Sequence, residues 1–243
     1  MPTLSQEILE RLQGFDTPTV CNLIELFEVR PQNIGFMDAR IQASFPELPP
    51  LVGFAATATF RGDAPPRAGD VYSSTDLQVE RFGELSGPPV VVFQDLDNPP
   101  VAATFGEVMC TTYQAFGAQG LITSGAGRDL EQVRALGFPA FTSGTICAHG
   151  YPHIVDLHVP VHVGGLTIFP DDLLHGDLNG VTTIPPAIAA ELVEIGEAFV
   201  AAEAVIMDAL REESGSVQRL RAACAESKAR IDALRARVSR ARP

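Results

Sequence analysis

Three features of the sequence predict an α/β fold: a mixed β-sheet with flanking helices and a long C-terminal helical extension. Between residues 51 and 142, short apolar β-rich runs alternate with helical patterns, which indicates an α/β domain. From 155 to 184 the β runs are closely spaced and joined by tight turns. Beyond Pro186 apolar residues recur at helical spacing almost to the C-terminus.

The elements follow in order. Residues 4–13 and 17–28 read as helices, the second capped by Asp16 or Thr17 with Pro18 in its first turn. Residues 31–50 are proline-rich and irregular. The β runs are Val52–Phe60, Val90–Phe93, Gly120–Thr123 and Ala140–Thr142, with helical patterns at Phe105–Gly117 and Asp129–Leu136. Val155–Val163 alternates strictly and reads as one strand; Gly164–Gly165 ends it, and Leu166–Phe169 and Val181–Ile184 follow, the last after an Asn179–Gly180 turn. Apolar residues at 188, 192, 195, 199, 202 and 206 step by 4 and 3. After Gly215 the step resumes at Val217, Leu220, Cys224, Ile231, Leu234 and Val238. That stripe, interrupted at Ser227, suits a helix packed on another helix, as from a second subunit, or a single amphipathic helix lying on its own domain. The expected organisation is a helical segment 1–50, an α/β domain 51–185 and a helical oligomerisation segment 186–243.

Composition narrows the chemistry. The 243 residues carry 17 basic and 30 acidic side chains, a formal charge of −13, and the sole lysine is Lys228. Schiff-base enzymes need a desolvated lysine, and phosphate loops of the Walker type need one beside the phosphates. Lys228 lies in an arginine-rich tail and suits neither task. Residues 211–243 hold nine basic and four acidic residues, whereas residues 1–210 hold eight basic and 26 acidic. So acidic a body repels nucleic acid. No apolar run of about 18 residues is present for a membrane span, and the N-terminus lacks the basic start and apolar stretch of a signal peptide. The four cysteines are widely spaced, with no C-x-x-C, as expected of reduced, mostly buried thiols in a cytoplasmic protein.

The stretch Gly117–Leu130, GAQGLITSGAGRDL, holds the strongest chemical signal. A short strand runs into a glycine-rich turn that delivers Arg128–Asp129 to a helix start. Amides exposed at such a turn attract anions. Arg128 offers a fork that matches a carboxylate, and Asp129 a hard oxygen for Mg²⁺ or Mn²⁺. A helix-capping ion pair is the plain structural alternative. Gly125-x-Gly127 lacks the third glycine of a dinucleotide fingerprint.

Upstream, Phe105-Gly106-Glu107-Val108-Met109 places Glu107 twenty residues before Arg128–Asp129. Downstream come Gly137-Phe138-Pro139-Ala140-Phe141, Pro160–Val161, Gly164–Gly165, Pro170-Asp171-Asp172 and Asp177-Leu178-Asn179-Gly180-Val181 with Pro185. In this order the series resembles the RraA-like family, over roughly residues 50–205. That family includes metal-dependent 4-hydroxy-4-methyl-2-oxoglutarate aldolases that also decarboxylate oxaloacetate. The resemblance implies a swivelling β/β/α fold assembled as a homotrimer or homohexamer. It implies that Asp129 binds Mg²⁺ or Mn²⁺ directly and Glu107 binds it through water. Arg128, with Gly106 and the amides of Val108 and Met109, would hold the carboxylate of a pyruvate-like group. Glu203, by its position in the long helix, would come from a neighbouring subunit. The implied activity is lysis of a 4-hydroxy-2-oxo acid or of oxaloacetate through a pyruvate enolate. A non-catalytic regulatory protein and a hydratase on the same site are the alternatives.

The sequence departs from the family at Glu107, where the aldolases have Asp, at Ala103 for their Gly, and at Asp171 for the Gly of PGD. Among the histidines, His158 and His162 on one strand would lie about 13 Å apart, too far to share an ion. His149 follows a strand by a short loop and can line a pocket. Cys110 and Cys147 lack a neighbouring base, and Glu84, Asp95 and Asp97 read as loop acids.

Overall fold

A computed structural model describes residues 4–69, 74–211 and 216–240. The chain opens with α1 (Gln6–Gln13) and α2 (Thr17–Phe27), then β1 (Gln42–Ala43), β2 (Leu51–Arg61), α3 (Thr75–Glu80) and β3 (Pro89–Asp95). Next come β4 (Ala103–Phe105), α4 (Glu107–Ala115), β5 (Gly120–Thr123), β6 (Ala126–Gly127), α5 (Leu130–Ala135), β7 (Ala140–Thr142) and β8 (Gly144–Thr145). The β-rich part adds β9 (His153–Leu157), β10 (Val161–Val163), β11 (Leu166–Ile168), β12 (Leu173–Asp177) and β13 (Gly180–Ile184). Helices α6 (Ala189–Arg211) and α7 (Val217–Val238) follow. The chain forms two compact units: one is the chain through Thr17 with Gly35–Pro185, the other Pro18–Ile34 with the chain from Pro186 onward.

In the first unit the main sheet runs β1-β7-β5-β3-β2-β12-β13. Its centre, β7-β5-β3-β2, is parallel, and β12, β13 and β1 join antiparallel. Strand β2 is the axis. Its first ten residues are buried, and its outer edge is shared between β12, opposite Leu51–Phe54, and β9, opposite Ala58–Arg61. A strand covered on both faces needs apolar residues at every position, which explains its unbroken apolar run. Alternate residues feed two cores. Ala56, Ala58, Phe60, Val91 and Phe93 pack with Cys110, Tyr113 and Val133 of α4 and α5. Leu51, Ala55, Val90 and Val92 pack with Val161, Val163 and Ile168 of the β10–β11 hairpin. The result is three layers: hairpin, mixed sheet, helices.

A second parallel sheet, β4-β6-β8, prolongs the central strands. Each of its strands follows one of the main sheet (β3, β5, β7) after an interruption, and α4 and α5 start where β4 and β6 end. This smaller sheet therefore decides where the two helix N-termini lie. At only two or three residues each, its strands carry no periodicity to read from sequence.

The structure departs from the expected elements at three places. Val155–Val163 is not one strand, because His158 takes a positive φ of 50° and Pro160 follows it, so β9 and β10 separate. His158 is buried against Glu84 (Nδ1–Oε2 3.3 Å), while His162 sits on the hairpin, its amide donating to Gln94. Strand β12 lies between Pro170-Asp171-Asp172 and the Asn179–Gly180 turn, in the β-rich region but where the sequence pattern assigns no strand. On α7 the buried residues include Ala223 and Ser227 alongside Leu234 and Val238, whereas Cys224 is exposed. Small side chains at the contact let α6 and α7 pack closely. Gly215, the expected break in the helical step, lies outside the described residues. The cysteines also differ from expectation: all four are free, but only Cys110 is fully buried.

The second unit joins α6, α7 and most of α2. Its arginine-rich helix pairs largely with itself, through Arg230–Glu226 (2.5 Å) and Lys228–Asp232 at one-turn spacing. Arg240 reaches Glu191 (2.5 Å), and its amide donates to the Phe27 carbonyl (2.8 Å). Among the described residues no helix is long and apolar enough to cross a membrane.

A buried polar knot fastens α1 to the sheet. His175, fully buried in β12, donates from Nε2 to the Leu12 carbonyl (3.1 Å) and accepts at Nδ1 from the Thr17 hydroxyl (3.0 Å). Asp177 accepts from the Thr17 amide (2.9 Å). Burial holds the imidazole pKa below its ordinary 6.5. As pH falls below that value the unfolded chain takes a proton that the folded chain refuses, so stability is lost on acidification. Asp95, raised to about 6, has the opposite sign: it favours the folded state as pH falls. Thermal melts at about pH 7.5 and about pH 5.5 are expected to show a smaller acid-induced loss in His175→Gln than in the parent, and the comparison cancels the Asp95 contribution.

Candidate active site

Gly106 and Asp129 bring two helix starts together. Asp129 caps α5 with a left-handed backbone (φ 54°, ψ 38°) but makes no side-chain cap bond to its own helix. Its carboxylate instead accepts from the Glu107 amide (3.1 Å), the first N–H of α4. The Arg128 amide donates to the Phe105 carbonyl (3.1 Å), closing the same junction. A Cβ on Gly106 would stand 2.6 Å from the Asp129 carboxylate and 3.0 Å from Arg128 Nε, and one on Gly127 would stand 2.2 Å from the Phe105 ring. Glycine at both positions is a condition of the approach.

The junction opens onto a cleft of about 190 Å³ walled by Ala103, Phe105, Gly106, Val108, Met109, Arg128, His149 and Pro152. Its walls are mainly apolar, with Arg128 the cation among them. Arg128 Nε lies 3.6 Å from Asp129 Oδ2, an ion pair but not a hydrogen bond. The first-turn amides of α4 beyond Glu107 have no intrahelical acceptor, and the helix dipole adds partial positive charge there.

Of the residues picked out by sequence, Arg128, Gly106, Val108 and Met109 line the cleft, and Asp129 stands against Gly106 at its edge. Glu107 contributes its amide to Asp129, and its side chain is solvent-exposed. Glu203 is half-buried on α6 in the second unit. His149 does line the cleft. Phe105 and Pro152, which share the wall, carried no separate signal in the sequence.

The other acids lie elsewhere. Asp97 is buried and accepts from the amides of Gly62 (2.8 Å) and Asp63 (3.0 Å). Asp95 lines a different, polar cleft with Ser124 and His162, and Glu84 pairs with Arg81 (3.1 Å). The Cys110 thiol, pushed up to about 12 by burial and then by the charge of Asp129, is no nucleophile.

Among the described residues no group of three or more His, Cys, Asp or Glu side chains could hold a metal ion. The donor chemistry still suits a hard cation. Mg²⁺ commonly takes one or two carboxylates and completes its shell with water and ligand oxygens. Asp129, pinned by a backbone amide at the edge of the cleft, fits that pattern.

The fold and cleft define an α/β protein with an anion-attracting junction between two helix starts. Residues 17–183 match the RraA-like family, Aldolase/RraA, and the chain belongs to that family. A Halalkalibacterium halodurans protein, provisionally named a 4-hydroxy-4-methyl-2-oxoglutarate aldolase, is 34% identical over 122 residues, 50% of this chain and 58% of that protein. The chain thus spans under two thirds of that relative. Among solved structures, an uncharacterized protein from Pseudomonas syringae pv. tomato DC3000 superposes with a TM-score of 0.70 at 21% identity, covering 90% of this chain and 94% of that one. Streptomyces coelicolor RraAS2, described as an unusual member of the RNase ES inhibitor RraA family, gives 0.64 at 22% identity, covering 84% and 96%. These two likenesses concern the fold.

Gly106→Ala should destabilise the protein by about 1–3 kcal/mol, because a fixed carboxylate and guanidinium must move. Gly83→Ala, where an added Cβ meets nothing within 4 Å, is the matched control expected near zero. Chemical denaturation of both variants measures the difference.

Proposed function

We propose that this protein is a divalent-metal-dependent lyase that releases pyruvate from a 4-hydroxy-2-oxo acid, from oxaloacetate, or from both. The observation that carries the reading is Asp129 pinned by the Glu107 amide beside Arg128 at an apolar-walled cleft. Arg128 grips the substrate carboxylate, and the amides of Val108 and Met109 help to hold it. Asp129 holds Mg²⁺ or Mn²⁺, and Glu107 supports it through water. When bound, the ion polarises the 2-oxo group and offsets negative charge as the enolate forms. The apolar walls, Phe105 and Met109 among them, limit water around the reacting carbons and strengthen those charge interactions. The name of the H. halodurans relative and the family membership support the assignment.

Pyruvate release from either substrate should disappear with EDTA and return with Mg²⁺ or Mn²⁺. Asp129→Asn is expected to lower kcat/KM by about 100-fold or more and to weaken Mn²⁺ binding in calorimetry, a readout independent of turnover. Arg128→Lys should raise KM by roughly 10- to 100-fold, the loss of one charge-assisted carboxylate contact. Undiminished activity in Asp129→Asn overturns the mechanism, and absence of pyruvate release in the parent favours a regulatory role.

We also propose assembly as a homotrimer or homohexamer in which Glu203 of a neighbouring subunit completes the site. Mixing inactive Asp129→Asn with inactive Glu203→Ala chains should then restore part of the activity, because some mixed sites carry both native residues. No recovery after subunit exchange assigns Glu203 a role within its own chain.

A further inference from the structure

With the substrate carboxylate on Arg128, the rest of the cleft is left to read the far end of the molecule. In a 2-oxo acid C4 lies three bonds from the carboxylate carbon, so the group it carries falls within the same small cleft of about 190 Å³. Five of the side chains around that space are apolar: Ala103, Phe105, Val108, Met109 and Pro152. Phe105 and Met109 are 1% and 8% exposed, held in place by the core they belong to. The loop that brings Pro152 is fastened as well. The Ala148 carbonyl accepts from the Ala103 amide (2.8 Å), and the Tyr151 amide donates to the Gly62 carbonyl (2.9 Å). Gly62 donates its own amide to the buried Asp97 carboxylate (2.8 Å). Walls already in position bind an apolar group at little ordering cost.

Charge favours the same kind of group. Arg128 is the one arginine or lysine among the cleft-lining residues, and the first carboxylate occupies it. His149 turns Nδ1 to the Gly150 carbonyl (2.8 Å). Asp129 stands at the edge, and residues 1–210 hold 26 acidic against eight basic side chains. A second carboxylate, on C4, would lose its water against Phe105 and Met109 and face that negative field.

We infer that the substrate is a 4-hydroxy-2-oxo monoacid with a small alkyl group on C4, cleaved to pyruvate and an apolar aldehyde, an assignment that rests on the lyase reading above. The C4 hydroxyl loses its proton to solvent and becomes the aldehyde carbonyl. The C3–C4 bond breaks, its electron pair forms the enolate, and solvent returns a proton to C3, so atoms and charge balance. Val108 and Met109 select the alkyl group by contact.

Ethyl and carboxylate groups are close in size, so a matched pair of substrates isolates the charge. 4-Hydroxy-2-oxohexanoate should be cleaved with a kcat/KM about 10-fold or more above that of 4-hydroxy-2-oxoglutarate. Calorimetry gives a readout without turnover: with Mg²⁺ present, 2-oxohexanoate, which cannot be cleaved, should bind about 10-fold more tightly than 2-oxoglutarate. Val108→Arg, at a position 76% exposed, sets a cation on the wall and should move both ratios about 10-fold towards the diacid. Met109→Ala should lower kcat/KM for the hexanoate about 10-fold more than for the glutarate. Equal binding of the two 2-oxo acids overturns the assignment, as do ratios unmoved in both variants. A parent that prefers the diacid, or acts on oxaloacetate alone, overturns it and leaves the lyase reading intact. A parent that releases pyruvate from none of the three substrates removes the lyase reading and this assignment together.

Discussion

The site depends on one close approach: the Asp129 carboxylate against the first amide of α4, across a residue with no side chain. Everything chemical in the cleft follows from it. The bond from the Glu107 amide at 3.1 Å takes the carboxylate away from its usual capping task on α5 and turns it towards the neighbouring helix start. Asp129 adopts a left-handed backbone to do so, a conformation that Asp tolerates better than most residues because its short polar chain bonds locally. The local cost, of order 1–3 kcal/mol for such conformations, is met by the surrounding core. That pattern is common where the chain has been shaped for binding rather than for stability.

The approach is possible because the small β4-β6-β8 sheet sets the spacing. The central strands do not run directly into helices. Each is interrupted and then resumes for two or three residues, and only then do α4 and α5 begin. Gly127 on β6 passes over the Phe105 ring at a distance that any side chain would fill. Phe105 is thereby both a floor for β6 and a wall of the cleft. Packing and site geometry are one constraint here, so substitutions at these glycines act on fold and function together.

Much of this was legible in the sequence. The central strands are apolar runs with turn signals at their ends, and β5 and β7 have the boundaries their residues predict. Arg128–Asp129, Gly106 and Glu107 stood out by spacing, and the structure brings their backbones together. Strands β4, β6 and β8 were not legible, since two or three residues give no period. The break at His158 was hidden because valine and leucine alternate on both sides of it, and local pattern does not report a positive φ at a histidine. The α7 contact was misread for a related reason: Ala223 and Ser227 are buried for their small size, which a search for apolar residues passes over. His149 was visible only as a residue after a strand. Its placement depends on bonds to Ala103 and Gly62, each remote in sequence.

The charge balance gains a local meaning from the structure. The first unit holds no lysine, and Lys228 pairs with Asp232 on α7. Arg40 is locked to Asp38 at 2.6 Å, Arg134 to Glu47 at 2.9 Å and Arg81 to Glu84 at 3.1 Å. Arg128 differs. Its neighbour Asp129 is 3.6 Å away and spends the oxygen concerned on a backbone amide. The guanidinium is thus held near a carboxylate without committing its fork to it. An arginine already closed into a bidentate pair would have to break that pair to receive an anionic substrate. An arginine beside a carboxylate occupied elsewhere receives one without that penalty, and the carboxylate stays available to a cation. Arg40, Arg81 and Arg134 are paired with nearby acids, whereas the Arg128 guanidinium stays 3.6 Å from an Asp129 oxygen that accepts the Glu107 amide.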